Sequence, residues 1–235
     1  MNTFDPPTIL FACRHGQSYG NTARAEAESR GWLEVDTPFA DADLPLTDLG
    51  HHQAAQLGRS IARMDPAQRP TRILSSPHRR ALETAEGIIR EGYAATRVAF
   101  SIDRRLTPKA FGVLERLTRK GVAERFPQLA AQRQQVGRFH FCPPGGESRC
   151  DVVLRVREFL GELREQGSNQ RVLIVTHQVV INALAYLLRG GHGDPLATDD
   201  DGHVPNAQLS TFCLTPAPTV VVDDAPAFGM ANTAA

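Results

Sequence analysis

The sequence predicts an α/β protein, a three-layer α/β/α sandwich in which helices cover both faces of a mostly parallel sheet of about six strands. Short β-rich runs alternate with longer helical segments over most of the 235 residues, which is the pattern of repeated strand–helix–strand units. The run Arg171–Thr176 is β-rich without alternation, as expected for a strand that is buried on both faces. These two observations predict the layered architecture.

The predicted strands are short runs of apolar and β-branched residues that are bounded by proline, glycine or charged residues. In chain order they are Thr8–Cys13, Thr71–Ser75, Arg97–Ile102, Arg171–Thr176, Gln208–Leu214 and a weaker run, Thr219–Val222.

Helices are predicted between these strands, where apolar residues recur at helical spacing after a capping residue or a proline. They extend from Thr47 to Pro66, from Pro77 to Gly92, over a short segment at 121–126, from Ser148 to Gly167, and from the end of the fourth strand to Leu188. The stretch 22–46 shows no such spacing and is predicted to be irregular.

The chain contains no internal repeat and no linker that would divide it, so we expect a single domain over residues 1–224. Segments 22–46 and 104–147 are expected to cover the functional site of that domain. Residues 225–235 are rich in alanine and are predicted to form a loose tail.

Composition excludes several classes of protein. The 26 basic and 26 acidic residues balance, whereas a nucleic-acid-binding domain is usually strongly basic. The four cysteines follow no metal-ligand spacing and are expected to be free thiols. No run approaches the ~20 apolar residues that cross a bilayer, and the first residues lack the pattern of a signal peptide. We therefore expect a cytoplasmic protein that binds neither nucleic acid nor membranes.

Polar residues follow three of the predicted strands directly. His15 follows the first strand and His177 the fourth, and the cluster Ser75–Arg80 follows the second. Ligand sites of α/β sheets form beyond the carboxyl ends of the strands. Two imidazoles, several guanidinium groups and a helix N-terminus at one such edge suit a phosphoryl dianion.

Several motifs occur in an order that identifies a family. They are Arg14-His15-Gly16 with Asn21, Asp43–Gly50 with Gln53-Ala54, Ser75–Ala85, Pro144–Ser148, Val172–Gln178 and Val204–Asn206. Together they resemble the histidine phosphatase superfamily, the phosphoglycerate mutase-like proteins with an Arg-His-Gly motif. The resemblance covers about residues 8–215 and implies a phosphoglycerate mutase-like fold.

The resemblance also implies catalytic roles. His15 would be the nucleophile that carries the phosphoryl group as phosphohistidine, with its second ring nitrogen bound to a backbone acceptor. Arg14, Arg80 and His177 would surround the transferred group and stabilise the charge on its oxygens. These groups would take the place of a metal ion, so neither a metal nor another cofactor is expected.

Further residues are expected to bind the phosphate of a small phosphorylated substrate. They are Ser18 and Asn21, after the first histidine, and Gln178, whose amide opens a helix. The protein is expected to act as a monomer or a homodimer.

One position departs from the family pattern. Members usually protonate the leaving group with a carboxylate just after the third strand, but here that place in Leu106–Gly112 is taken by Pro108. Three interpretations remain open. Another group, Glu115 or else His140 or Asp43, supplies the proton; or the substrate has a good leaving group and needs little general acid catalysis; or the protein binds phosphorylated ligands with little turnover. A phosphoglycerate mutase or a fructose-bisphosphatase-like enzyme is the alternative within the family.

Residues 104–138 contain nine basic residues but only two acidic ones, Glu115 and Glu124. This segment either recognises a second anionic group of the substrate or forms a solvated basic face.

Overall fold

The structure is a computed structural model that describes residues 8–167, 169–188 and 203–214. Over these residues the chain forms a five-stranded sheet in the order β3-β2-β4-β1-β5. The strands are β1 (Thr8–Arg14), β2 (Arg72–Ser75), β3 (Ala99–Ile102), β4 (Arg171–Thr176) and β5 (Leu209–Leu214). All neighbouring pairs are parallel except β1 and β5, which are antiparallel. The sixth strand predicted at Thr219–Val222 and the predicted tail lie outside the described residues.

Helices connect these strands along the chain. They are α1 (Tyr19–Ser29), α2 (Asp48–Ala62), α3 (Arg79–Gly92), α4 (Arg119–Arg125), α5 (Pro127–His140), α6 (Arg149–Glu165) and α7 (Gln178–Leu188). None of the helices in the described part of the chain is long and apolar enough to cross a membrane.

The strands β1, β2 and β4 bury both of their faces, which confirms the three-layer sandwich. Side chains alternate between two apolar clusters because successive residues of a strand point to opposite faces. Leu10 and Ile174 pack against α6 and α7 on one side. Phe11 and Val175 pack on the other side, in a cluster that includes Ile61 of α2 and residues of α3.

Two helices begin at the caps that the sequence predicts. The Thr47 hydroxyl accepts a hydrogen bond from the Gly50 amide at the start of α2, and the Ser148 hydroxyl accepts one from the Asp151 amide at the start of α6. Each such cap is worth about 1 kcal/mol. At Gly50 a Cβ atom would lie 2.0 Å from the Gln17 carbonyl oxygen. The first turn of α2 therefore packs directly on the loop after β1, and only glycine fits there.

The prediction of an irregular stretch over 22–46 is wrong at its beginning, because α1 continues to Ser29. The helix α5 was also missed. Both helices lack the apolar stripe that reveals an amphipathic helix, since α1 buries only Ala27 and α5 buries no residue. A cap on Ser18, reinforced by the Asn21 side chain, marks the start of α1 instead.

Strand register brings the polar residues after the strands together. Arg14 lies opposite Thr176 in the parallel β1–β4 pair, and the His15 amide donates to the Thr176 carbonyl at 2.9 Å. The Ser76 amide donates to Val175 at 3.0 Å in the same way. The residues that follow β1, β2 and β4 therefore meet at one edge of the sheet.

Candidate active site

A cleft of about 370 Å³ lies at the carboxyl ends of β1, β2 and β4. All eight residues that the sequence predicts for the site line this cleft: Arg14, His15, Ser18, Asn21, Arg80, Glu115, His177 and Gln178. Pro108 lines it as well, so the position at which the resemblance implies a carboxylate faces the cleft. Asp43 and His140, the other two proton donors considered, are not among the lining residues.

His15 is held in one orientation at the bottom of the cleft. Its side chain is buried, and its Nδ1 atom lies 2.7 Å from the Gly16 carbonyl oxygen. Because a carbonyl can only accept, Nδ1 carries the proton and Nε2 keeps its lone pair. Burial, followed by the positive charge of Arg80, lowers the pKa of His15 to about 3. The imidazole is therefore neutral near pH 7.

His177 lies beside it, at the junction of β4 and α7. The two ring centroids are 5.1 Å apart, and His177 Nε2 lies 2.9 Å from the Ser76 hydroxyl. Burial lowers the pKa of His177 well below its usual range, and the proximity of the second imidazole, His15, and of the positive Arg80 acts in the same direction. The two imidazoles thus form a pair of neutral rings in a positively charged surrounding.

Arg14 extends across the cleft from the end of β1. Its Nη1 atom donates to the Val204 carbonyl at 2.6 Å and to the Gln178 side-chain oxygen at 3.2 Å. Burial, followed by the charge of Arg80, lowers the pKa of Arg14. Its Nε atom is buried and has no hydrogen-bond partner in the described part of the chain. An N–H group that is buried and unpaired in an apo site is a donor for an anionic ligand.

Ser18 and Asn21 cap the helix α1. The Ser18 hydroxyl accepts from the Asn21 amide at 3.3 Å, and the Asn21 side-chain oxygen accepts from the Ser18 amide at 3.1 Å. Asn206 donates to that same Asn21 oxygen at 3.3 Å and to the His15 carbonyl at 2.9 Å. These contacts fix the loop after β1 beside His15, while the expected role in phosphate binding stays a prediction.

Arg80 enters the cleft from the first turn of α3 and meets a carboxylate. Its Nη2 atom donates to Asp41 Oδ2 at 2.9 Å and its Nη1 atom donates to the Asp41 carbonyl. Burial acts to raise the pKa of Asp41, but the hydrogen bonds from His78 and Arg80 outweigh it and hold that pKa well below its usual range. No local pattern of residues indicates this contact, since Asp41 is one of several acidic residues in segment 22–46.

The opposite wall of the cleft comes from residues 108–149. Glu115 faces the cleft here, and burial together with the negative charge of Asp41 raises the pKa of Glu115. The Lys109 ammonium group lies 4.7 Å from the centre of the Phe111 ring, and burial lowers its pKa. Glu147 accepts from the Ala110 amide at 2.9 Å and so fixes this loop. Sequence reasoning had not singled out Lys109 as a residue of the cleft.

The comparisons with known proteins agree with this geometry. A family model described as the histidine phosphatase superfamily (branch 1) matches residues 10–223. The glucosyl-3-phosphoglycerate phosphatase of Mycolicibacterium vanbaalenii is 32% identical over 189 residues, which are 77% of this chain and 74% of that protein. The 6-phosphofructo-2-kinase/fructose-2,6-bisphosphatase of Gallus gallus is 29% identical over 189 residues. That match covers 80% of this chain, which spans only about a third (34%) of the relative.

Among solved structures, a phosphoglycerate mutase from Bacillus anthracis shares the fold with a TM-score of 0.69 at 17% identity. The match covers 95% of this chain and 94% of that chain, which confirms the predicted phosphoglycerate mutase-like sandwich. The family model matches most of the chain, and Arg14, His15, Arg80 and His177, which belong to the motifs that carry the resemblance, line one cleft. The chain therefore belongs to the histidine phosphatase superfamily.

Proposed function

We propose that this protein is a phosphatase that hydrolyses phosphomonoesters or related phosphoryl compounds through a phosphohistidine on His15, without a metal ion. The observation that carries the proposal is the contact of His15 Nδ1 with the Gly16 carbonyl oxygen at 2.7 Å. It leaves Nε2 unprotonated, and an unprotonated ring nitrogen is a nucleophile. The low pKa of about 3 keeps His15 in this state over the physiological range.

The proposed reaction has two transfers. In the first, His15 Nε2 forms a bond to phosphorus while the bond from phosphorus to the leaving oxygen breaks, and that oxygen takes up a proton. Arg14, Arg80 and His177 stabilise the negative charge on the three remaining phosphoryl oxygens. In the second, the oxygen of a water molecule forms a bond to phosphorus while the bond from phosphorus to His15 Nε2 breaks. The water gives a proton back to the group that protonated the leaving oxygen, and this step yields inorganic phosphate and neutral His15.

Glu115 is the proposed proton donor in place of the carboxylate that Pro108 replaces. It lines the same cleft as His15, and its raised pKa keeps a larger fraction of the carboxyl protonated at a given pH. Asp41, on the same cleft, is held ionised. Two carboxyl groups with pKa values shifted in opposite directions are typical of a site that separates a proton donor from a fixed charge.

The substrate is proposed to carry a second anionic group. Besides Arg14 and Arg80, the cleft is lined by six more basic residues: Arg24, Lys109, Arg116, Arg133, Arg138 and Arg149. Asp41 and Glu115 are the only acidic residues among the described ones that line the cleft. The two curated relatives are named for a fructose bisphosphate and for a glucosyl phosphoglycerate. A fructose-bisphosphatase-like activity is therefore a second candidate, and the excess of positive charge favours it.

Labelling with p-nitrophenyl [³²P]phosphate tests the mechanism, because this substrate needs little help from a proton donor. Rapid quenching should trap an acid-labile, alkali-stable label on the wild-type chain, and His15→Ala should abolish both the label and turnover. His51→Ala is the matched control, since this histidine lies on α2 with a side chain that is 51% exposed. Binding of the substrate without any label would show a binding protein rather than an enzyme and would refute the proposal.

A further inference from the structure

The guanidinium group that should bind the phosphoryl oxygens is already engaged. Arg80 is buried, with a side chain that is 7% exposed, and both of its Nη atoms donate to oxygens of Asp41. No other hydrogen bond or ion pair of the Arg80 guanidinium is found in the described part of the chain. Asp41 thus lies where a phosphoryl group would make its contacts with Arg80.

The Asp41 carboxylate oxygen that accepts from Arg80 also lies near His78. Asp41 belongs to a short 3₁₀ turn, Asp41–Asp43, and its carboxylate lies 3.4 Å from His78 Nε2. The His78 ring in turn packs against His177, with ring centroids 5.2 Å apart. The carboxylate is therefore part of the site, in contact with Arg80 and close to His78, and it lines the same cleft as His15.

We propose that Asp41 competes with the phosphoryl group for Arg80 and thereby sets the affinity of the cleft for phosphate. The inference rests on the proposed function, in which the phosphoryl group lies against Arg80. It makes Asp41 an affinity-determining residue.

The physical reason is the repulsion between two anions that share one guanidinium. Each Nη atom carries two hydrogens, so a phosphoryl group can bind beside Asp41 or can displace it. In the first case its oxygens lie close to a carboxylate, and repulsion between like charges weakens binding. In the second case the Arg80–Asp41 contacts are lost. Both routes lower the affinity, for the substrate phosphoryl group and for the product phosphate alike.

Weak binding of inorganic phosphate has a functional consequence. The site must stabilise the phosphoryl group during transfer but must then release the same group as product. An interaction that stabilises the bound phosphoryl group equally in the ground state and in the transition state does not speed the chemical step. A carboxylate against Arg80 therefore favours release of the product from a strongly basic cleft.

A purely structural role for Asp41 predicts the opposite result. If Asp41 served only to orient Arg80, its loss would misplace the guanidinium and weaken phosphate binding. Asp41→Asn separates the two roles, because it removes the charge but retains a side-chain oxygen that accepts from Nη2. The backbone carbonyl that accepts from Nη1 is unchanged, so Arg80 keeps both contacts.

The experiment measures the dissociation constant of inorganic phosphate by isothermal titration calorimetry at pH 7.5. We expect Asp41→Asn to bind phosphate on the order of tenfold more tightly than the wild type, as loss of one nearby like charge predicts. Asp65→Asn is the matched control, because it makes the same charge change on an exposed side chain that does not line the cleft. Unchanged or weaker binding by Asp41→Asn would overturn the inference, and thermal unfolding of the variant checks that it is folded.

The design separates this inference from the proposed function. Titration measures binding and needs no turnover, so it gives a result even if His15 is never phosphorylated. If the wild type and both variants all fail to bind phosphate, the inference is refuted together with the phosphate site. If binding changes as expected while His15 remains unlabelled, only the proposed catalytic mechanism fails.

Discussion

The two walls of the cleft are built differently. The wall on the sheet consists of residues at strand ends and helix starts, where His15 and His177 are each only 4% exposed. The overhanging wall, residues 108–149, carries Phe111 with 45% of its surface exposed and has its own small apolar cluster around Leu114 and Phe141. The groups proposed to transfer phosphate are thus buried and fixed, whereas those proposed to recognise the rest of the substrate lie away from the sheet, on loops and on helices such as α5.

This difference follows from how each wall is held. His15 and Ser76 continue the hydrogen bonding of the parallel strands onto β4, so their position is fixed by the sheet itself. The overhanging wall is held outside the sheet, by contacts such as those of Glu147 with the Ala110 amide and of Arg155 with the Pro108 carbonyl. A loop on a rigid scaffold can change its side chains without disturbing the scaffold. Substitutions on the two walls should therefore alter different kinetic constants.

The largest expected effect is on the sheet wall. His177→Ala should lower kcat about 10³-fold, as expected for loss of a group that stabilises the transition state, with little change in KM. Lys109→Met on the overhanging wall should instead raise KM about tenfold for a sugar bisphosphate and leave kcat nearly unchanged. Steady-state kinetics of both variants test the contrast. A fall in kcat for Lys109→Met as large as that for His177→Ala would remove the distinction between the walls.

The second effect concerns proton transfer from the overhanging wall. Glu115→Gln should lower kcat/KM about 10²-fold for a sugar phosphate and far less for p-nitrophenyl phosphate, whose leaving group needs no proton. Pro108→Glu should raise the rate with the sugar phosphate, because it restores a carboxyl group at the place that family members use. If Glu115→Gln slows both substrates equally, Glu115 is not the donor. Equal and fast wild-type rates on both substrates would exclude a preference for good leaving groups.

The smallest effect is on stability and again belongs to the sheet wall. His15 has a pKa of about 3 in the folded chain, against about 6.5 in an unfolded one. As the pH falls below 6.5, the unfolded chain binds a proton that the folded chain excludes, so the free energy of unfolding decreases until about pH 3. Its slope is about 1.4 kcal/mol per pH unit for one histidine, and His177 acts in the same direction.

Urea unfolding between pH 7 and pH 4.5 measures this slope. In His15→Asn the free energy of unfolding should fall less steeply with decreasing pH, by up to the contribution of one proton, about 1.4 kcal/mol per pH unit. The reason is that the histidine buried in its neutral form is gone. An equal slope in the variant and the wild type would show that His15 takes up a proton in the folded chain.

Several local features could be predicted because the sequence signals them locally. The strand Arg171–Thr176 and the caps at Thr47 and Ser148 lie where the sequence predicts them. The polar residues after β1, β2 and β4 could be placed together because parallel strands share one edge for their carboxyl ends. The helices α1 and α5 were missed, since a helix that buries almost nothing leaves no periodic pattern to read.

By itself, the sequence determined the alternation of strands and helices, the histidines at two strand ends and the proline where a carboxylate is usual. These features depend on residue type and on spacing along a short stretch of chain. Only the tertiary structure decided which strands are neighbours, that β5 runs antiparallel to β1, and that Glu115 faces the cleft whereas Asp43 and His140 do not line it. It also decided that Asp41 meets Arg80, across 39 positions of the chain. Such contacts arise when distant segments pack on a common core, and no local pattern of residues encodes them.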